Sequence, residues 1–273
     1  MADLRALSLS LADHVATLEL RGPGKGNAMG PDFFAELPRV MRELDRDDAV
    51  RAIVVTGAGD HFTYGLDLPA MMPVLGPLLS DGALASARTK LHEKILELQE
   101  SFRAVAACRK PVVAAISGWC IGGGVDLISA CDVRIASRDA RFSVREVRVA
   151  MVADLGSLQR LPAIIGEGHT RELAFTGRDI DAERALRIGL VGDLHDGRAA
   201  TLAAAQGIAR EIAQNPPLVV QGIKQILEGA HAPRVDAGLR QVAAWNAAFL
   251  PSKDLTEAFA AFVERRPPRF TGE

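Results

Sequence analysis

Three carboxylates stand where the surrounding residues give them little reason to be. Asp126 follows the run Ser117-Gly118-Trp119-Cys120-Ile121-Gly122-Gly123-Gly124-Val125, while Glu146 and Asp154 lie in the stretch from Phe142 to Gly156, which is rich in apolar side chains. A carboxyl beside apolar surface is a candidate for a raised pKa and for carrying protons near neutral pH. The glycines Gly122, Gly123 and Gly124 suggest a second chemistry. Glycine weakens a helix interior, so a triplet at a helix start indicates bare backbone approaching something closely, with free N–H groups facing it. That describes an anion or oxyanion site. Each feature also has a structural explanation. The glycines would equally serve tight packing of a helix on a sheet. Asp126 would favour the positive end of its helix, Glu146 would pair at the surface with Arg145 or Arg148, and Asp154 would cap a helix running through Leu161. Taken singly, each acid is better explained structurally.

The elements that would have to position these groups follow from periodicity. Alternation over His14 to Leu20 predicts a strand, followed by a Gly/Pro-rich loop over 21–30. Pro31 opens a helix whose apolar residues Phe33, Phe34, Leu37, Val40, Met41 and Leu44 recur at helical spacing, and residues 49–56 read as a buried strand. Pro73, Gly76, Pro77 and Gly82 mark an irregular segment ahead of a long amphipathic helix over 85–107. A strand over 112–117, the glycine run, a short helix over 125–130 and a strand around 133–136 come next. From Leu158 onward alanine, leucine and charged residues predominate, broken at Gly166, Gly177, Gly189, Pro216-Pro217 and Pro251, which predicts a helical C-terminal region. The rhythm is α/β first and α afterwards.

Whole-chain properties narrow the function classes. At 273 residues and 48% hydrophobic, the chain can bury a substantial core. With 32 basic and 34 acidic residues, its net charge of -2 leaves no overall footprint for nucleic acid or an anionic membrane, and favours a small-molecule partner. Cys108, Cys120 and Cys131 lack CxxC or metal-ligand spacing and read as reduced, buried thiols of a cytosol-like compartment. Charged residues from Asp3 to Glu19 interrupt any signal-like apolar run, no stretch has the length of a membrane span, and the final Phe270 to Glu273 is not a peroxisomal address. A cytoplasmic protein is expected. His92-Glu93 lacks the second histidine of a zinc-protease motif because Leu96 occupies its place, so no metal site is expected. Phe62 stands where a dinucleotide fingerprint after Gly57 would need its third glycine, and P-loop and Gly-x-Ser-x-Gly elements are absent. Arg265, Arg266 and Arg269 without an aromatic platform make a poor nucleic-acid site.

The segment from Ile116 to Pro162 resembles the signature region of the enoyl-CoA hydratase/isomerase (crotonase) superfamily at nearly every position. The earlier run from Gly59 to Leu68 resembles that family's first CoA-binding and oxyanion loop, with Tyr64 bulkier than the residue usual there. Phe259 to Phe270 is similar to its C-terminal phenylalanine-plus-basic segment. The resemblance implies an α/β fold: a spiral core of ββα turns over 1–200, then a helical trimerisation region over 201–273, in a homotrimer or a dimer of trimers. It implies an acyl-CoA thioester as substrate, with no cofactor beyond the CoA that the substrate carries. The backbone N–H groups of Leu66 and Gly123 are the implied oxyanion hole, and the loss of one donor from such a hole costs about 2.7–4 kcal/mol. Lys25, Gly65, Asp67, Leu68, Gly122, Phe262 and Arg265 are the implied substrate and CoA contacts, although a solvated Lys25, a core Phe262 and a solvated Arg265 are ordinary alternatives.

Within the superfamily the acids are most similar to those of the Δ3,5-Δ2,4-dienoyl-CoA isomerases. Hydratases carry glutamates at the positions of Asp126 and Glu146 and typically glycine at that of Asp154, whereas the isomerase pocket holds an Asp, a Glu and a second Asp. Asp126, Glu146 and Asp154 are therefore the implied catalytic set, with fatty-acid β-oxidation as the implied setting. A trans-2-enoyl-CoA hydratase is the main rival, and a catalytically weak acyl-CoA-binding scaffold ranks third. Shortening the residue at 126 by a methylene argues against hydration, because proton transfer depends on a reach of about 2.6–3.2 Å.

Overall fold

The computed structural model describes residues 4–22, 26–79 and 84–273. Strand β1 (Leu7–Ala12) pairs antiparallel with β2 (Val15–Leu20), and the two-residue turn between them places both Asp13 and His14 at positive φ. That turn matches the right-handed twist of a hairpin. Helix α1 (Pro31–Arg46) buries its predicted apolar face, and β3 (Ala52–Gly57) and β4 (Val112–Ile116) are buried at every residue. Strand β6 (Val133–Ser137) and the two-residue β9 (Leu194–His195) complete a six-stranded sheet of order β1-β2-β3-β4-β6-β9, parallel from β2 onward.

Strands buried at every residue need cover on both faces. One face is covered by helix α7 (Gly197–Gln214), whose Ala205, Ala209 and Ala213 are small enough to bring it against Val54, Val113, Ala115 and Ile135. The other face carries the main core, with α1 and the long helix α3 (Ala85–Ala107) contributing Phe33, Phe34 and Phe102, which stack edgewise or tilted on one another.

From β4 the chain steps into a second sheet of order β5-β7-β8, made by β5 (Trp119–Ile121), β7 (Arg141–Ser143) and β8 (Ile180–Asp181). Helix α4 (Gly123–Ser129) separates β5 from β6, so successive turns place one strand in each sheet and then a helix. This is the expected ββα winding. Helices α5 (Ser157–Thr176), α6 (Ala182–Arg187), α8 (Pro217–Phe249) and α9 (Lys253–Glu264) dominate the rest, with α8 packed along α3 and α5.

Three departures from the sequence reading have local causes. The region read as irregular from Pro73 holds a helix, α2 (Leu68–Leu75), continued by a single 3-10 turn to Leu78; Asp67 caps it by accepting from Ala70 N at 3.0 Å, and Pro69 suits its first turn. Strand β1 went unread because its outer residues face solvent and its turn lacks an Asn-Gly signal. The C-terminal half contains β8 and β9 as well as helices, each only two residues long and too short for a period to register.

Candidate active site

The loop from Phe62 to Leu66 is zipped onto β5. Phe62 N donates to Ser117 O at 2.7 Å, Thr63 N to Trp119 O at 2.9 Å, and Ile121 N to Thr63 O at 3.2 Å. Such an approach leaves no room for side chains at two positions. A Cβ on Gly65, which has φ +78°, would lie 2.6 Å from Ile121 O and 3.0 Å from Gly123 N, and one on Gly124 would lie 2.6 Å from Thr63 Cγ2. The glycines therefore permit close packing, and the same packing sets two N–H groups side by side. Met29 bridges the loop through Gly65 O and Asp67 N, which turns the intervening Leu66 N–H away from that pairing. Gly123 opens α4, so its N–H has no acceptor one turn back in the helix. A Cβ built on Gly123 would stand 3.9 Å from Leu66 N.

Leu66, Leu68 and Gly123 line a cavity of about 80 Å³ together with Asp126, Glu146 and Asp154. Its other walls are apolar, including Met72 and Leu75 of α2, Leu91, Ile95 and Leu98 of α3, and Leu250 and Phe259 from the C-terminal helices. The three acids arrive from separate elements: Asp126 from α4, Glu146 from a 3-10 turn (Glu146–Val149) after β7, and Asp154 from the segment leading into α5. Two of them lack the structural role that the sequence offered, and the third adds a bond of its own. Arg145 pairs with Asp179, Glu146 has no ion pair among the described residues, and Gly156 rather than Asp154 occupies the N-cap position of α5. Asp126 sits in the first turn of α4, but its Oδ1 accepts from Ser157 N at 2.6 Å, at the start of α5.

Apolar enclosure raises all three acids above the usual carboxylate range. Glu146 is raised first by burial and then by the charges of Asp126 and Asp154, and its Oε2 is enclosed without a hydrogen-bond partner. Asp126, 1% exposed, is raised by burial against the opposing effects of the Ser157 donor and the Arg160 charge. Asp154 is pushed up to about 7 by burial, with Asn246 donating in the opposite sense and the Asp126 charge adding to the rise. Glu146 and Asp154 keep partial accessibility through the cavity, so a molecule entering it reaches both. Three like-charged groups around one cavity titrate as a set and share protons near neutral pH.

Of the remaining implied contacts, Gly65 and Gly122 lie on the two loops beside the cavity, and Asp67 spends one carboxylate oxygen on capping α2. Lys25 lies outside the described residues. Phe262 is 63% exposed on α9 and Arg265 forms the C-cap of that helix, so neither joins the cavity of its own chain. The sequence reading did not select Phe259, which reaches the cavity from α9, or the amides Asn246 and Gln99. Asn246 Nδ2 donates to Asp154 Oδ2 at 2.7 Å, and Gln99 Nε2 donates to Asp154 O at 2.8 Å and Leu239 O at 3.0 Å. The available signal was a polar residue on a helix face otherwise occupied by apolar ones, as at Gln99 between Leu91, Ile95, Leu98 and Phe102.

A ββα spiral in which Leu66, Gly123 and three acids line one largely apolar cavity defines the class, and the chain belongs to the Enoyl-CoA hydratase/isomerase family, which it matches over residues 11–273. Among relatives, the mitochondrial Delta(3,5)-Delta(2,4)-dienoyl-CoA isomerase of Dictyostelium discoideum is 40% identical over 99% of this chain and 92% of its own length. The peroxisomal Delta(3,5)-Delta(2,4)-dienoyl-CoA isomerase of Arabidopsis thaliana is 42% identical over 93% and 91%. The (E)-benzylidenesuccinyl-CoA hydratase of Thauera aromatica is 34% identical over 97% and 99%. A crystal structure of an enoyl-CoA hydratase/isomerase from Pseudoalteromonas atlantica superposes with a TM-score of 0.84 at 28% identity, covering 97% of this chain and 100% of that one. Among the described residues no helix is long and apolar enough to cross a membrane.

Proposed function

We propose that the protein isomerises 3,5-dienoyl-CoA to 2,4-dienoyl-CoA. The observation that carries this reading is the convergence of three carboxyls, Asp126, Glu146 and Asp154, on one apolar cavity that also contains Leu66 and Gly123. With the thioester oxygen held by the Leu66 and Gly123 N–H groups, loss of a C2 proton leaves a trienolate whose negative charge those donors stabilise. Return of a proton at C6 shifts the double bonds into the 2,4 positions. Glu146 is the base at C2, because its Oε1 lies beside Gly122, 3.4 Å from where a Cβ there would be, and so next to the oxyanion loop. Asp154 is the acid at C6. Asp126 balances charge between them, and proton exchange within the group or with solvent resets the enzyme. The turnover-competent form carries an ionised Glu146 and a protonated Asp154, the less populated arrangement of the shared protons, because burial and the neighbouring acids raise Glu146 to about 8 and Asp154 to about 7.

Gly65, Asp67, Leu68 and Gly122 shape the thioester and CoA entrance in this reading, and Phe262 and Arg265 meet the CoA of a neighbouring subunit. Exposed Leu218, Val219, Ile223, Ile226 and Leu227 on α8 support burial of that helix in a homotrimer or dimer of trimers. The location is cytoplasmic by the sequence argument, whereas the two isomerase relatives are mitochondrial and peroxisomal by name. Hydration is the competing activity. The test supplies a 3,5-dienoyl-CoA and a trans-2-enoyl-CoA in parallel to the wild type, Glu146→Gln and Asp154→Asn, following diene and enoyl absorbance. Fast diene conjugation, abolished by Glu146→Gln and weakened by Asp154→Asn, is the expected result. Fast hydration that is indifferent to Asp154→Asn refutes the reading in favour of a hydratase.

A further inference from the structure

Asn246 lies near the C-terminal end of α8, 2% exposed, and its amide nitrogen serves two acceptors at once: Val152 O at 2.9 Å and Asp154 Oδ2 at 2.7 Å. The Val152 carbonyl can only accept, so it fixes which end of the amide points this way; the flipped rotamer would set one carbonyl against another. Oδ2 of Asp154 therefore always faces an N–H donor. A proton carried by Oδ2 in that direction would collide with the donor hydrogen, whereas no other side chain donates to Oδ1 among the described residues; the carboxyl's remaining donor is Asp154's own main-chain N–H, and the side chain lines the cavity.

We propose that Asn246 is a positioning residue for Asp154: by occupying Oδ2 from outside the cavity, it forces the transferable proton onto Oδ1, the oxygen left for substrate. The proposal deepens the isomerase reading and rests on it for the identity of the proton's destination, but not for the placement of the proton. The titratable groups facing Asp154 are Asp126 from α4 and Glu146 from the 3-10 turn, with the Arg160 guanidinium of α5 acting through Asp126. The side chains that bond Asp154 from α8 and α3 are uncharged amides, Asn246 to its carboxyl and Gln99 to its main chain. A donor to the carboxylate favours its ionised form, so Asn246 also restrains the burial-driven rise to about 7.

The experiment follows the Asp154 carboxyl by 13C NMR, assigned by its loss in Asp154→Asn, in the wild type, Asn246→Leu and the isosteric Asn246→Asp. Gln99→Leu is the control, because it loosens the same segment without touching the carboxyl. Both Asn246 variants should move the Asp154 midpoint upward by about one pH unit, the size expected for losing a hydrogen bond to a charged group. The alkaline limb of the kcat profile should move with it, and kcat should fall about 10- to 100-fold, within what general acid catalysis supplies, with KM little changed. Gln99→Leu should lower the Tm and leave the midpoint in place. In the wild type the Asn246 side-chain amide proton should itself titrate with Asp154 and stop doing so in Asp154→Asn, a readout that needs no folded Asn246 variant. An unmoved midpoint in a folded Asn246 variant, an equal shift in Gln99→Leu, or an amide proton indifferent to pH overturns the proposal. A wild type that shows these titrations yet leaves 3,5-dienoyl-CoA untouched overturns the isomerase reading alone.

Discussion

Replacing Asp154 with asparagine should make the protein more stable, and only at the right pH. Burial lifts this carboxyl from its ordinary value of 3.8 to about 7, so between those pH values the folded protein holds a proton that the unfolded chain releases. Stability contributed by that proton is fully present below about pH 4 and is lost as the pH rises through about 7. The difference corresponds to about 4 kcal/mol at alkaline pH. Partial accessibility through the cavity allows water to screen the charge, so about 2 kcal/mol is the expected gain for a neutral isostere. The substituted amide also keeps a carbonyl oxygen for Asn246 to donate to. For a chain of this length that gain is a rise in Tm of roughly 4–8 °C. Melting curves of both proteins at pH 4 and pH 8 provide the assay. The curves should coincide at pH 4 and separate at pH 8 with the variant higher. A gap of the same size at both values, or a variant less stable at pH 8, would refute the claim that Asp154 is buried at a cost in its charged form.

Other perturbations test other parts of the arrangement. Gly65→Ala would drive a methyl to within 2.6 Å of Ile121 O, at φ +78°, and should lower kcat/KM for isomerisation by about 100-fold or more by parting the two oxyanion donors, measured under subsaturating substrate. Leu75→Ala, on the α2 wall of the cavity, should shift preference toward longer acyl chains with little loss of kcat on the best substrate, read from kcat/KM across a chain-length series. Lys224 Nζ, on a side chain only 4% exposed, holds the solvent-reachable Asp132 Oδ2 at 2.7 Å, so Lys224→Met should cost about 1.5–3 kcal/mol by denaturant unfolding, the loss of one hydrogen bond to a charged group that keeps its Val112 N–H donor. Wild-type kcat/KM should follow a bell in pH whose two limbs belong to the coupled Glu146 and Asp154, raised to about 8 and about 7; Asp154→Asn should lack the alkaline limb.

How far the sequence revealed this site depended on how local each signal was. The glycine triplet could be read because a helix start with bare backbone has few other uses, and the close approach at Gly124 is one a side chain would block. The acids could be read as a set only through family resemblance. Singly, each had an adequate structural explanation, and only the tertiary fold brings elements from α4, the 3-10 turn and the start of α5 around one cavity. The α2 wall was obscured by prolines that usually signal irregular chain, although Asp67 supplied a cap. Phe262 was singled out by its motif, but within its own chain the cavity takes Phe259 of the same helix instead.

Asn246 shows why some of the site had to wait for three dimensions. It lies 92 residues beyond the acid it holds, on a helix whose own periodicity concerns packing. The same helix is tied by Gln99 through Leu239 O to the segment carrying Asp154, so α3, α8 and the acid loop are held as one unit. A buried amide reaching across such a distance is selected neither by helix propensity nor by hydrophobic pattern. Its conformation is set by the unsatisfied acceptors it must meet, because leaving Val152 O and a buried carboxylate without donors would destabilise the fold. In the proposed isomerisation, the bonds that satisfy those acceptors also orient the carboxyl that carries the proton, which gives the C-terminal helices a part in the reaction as well as in the packing of the chain.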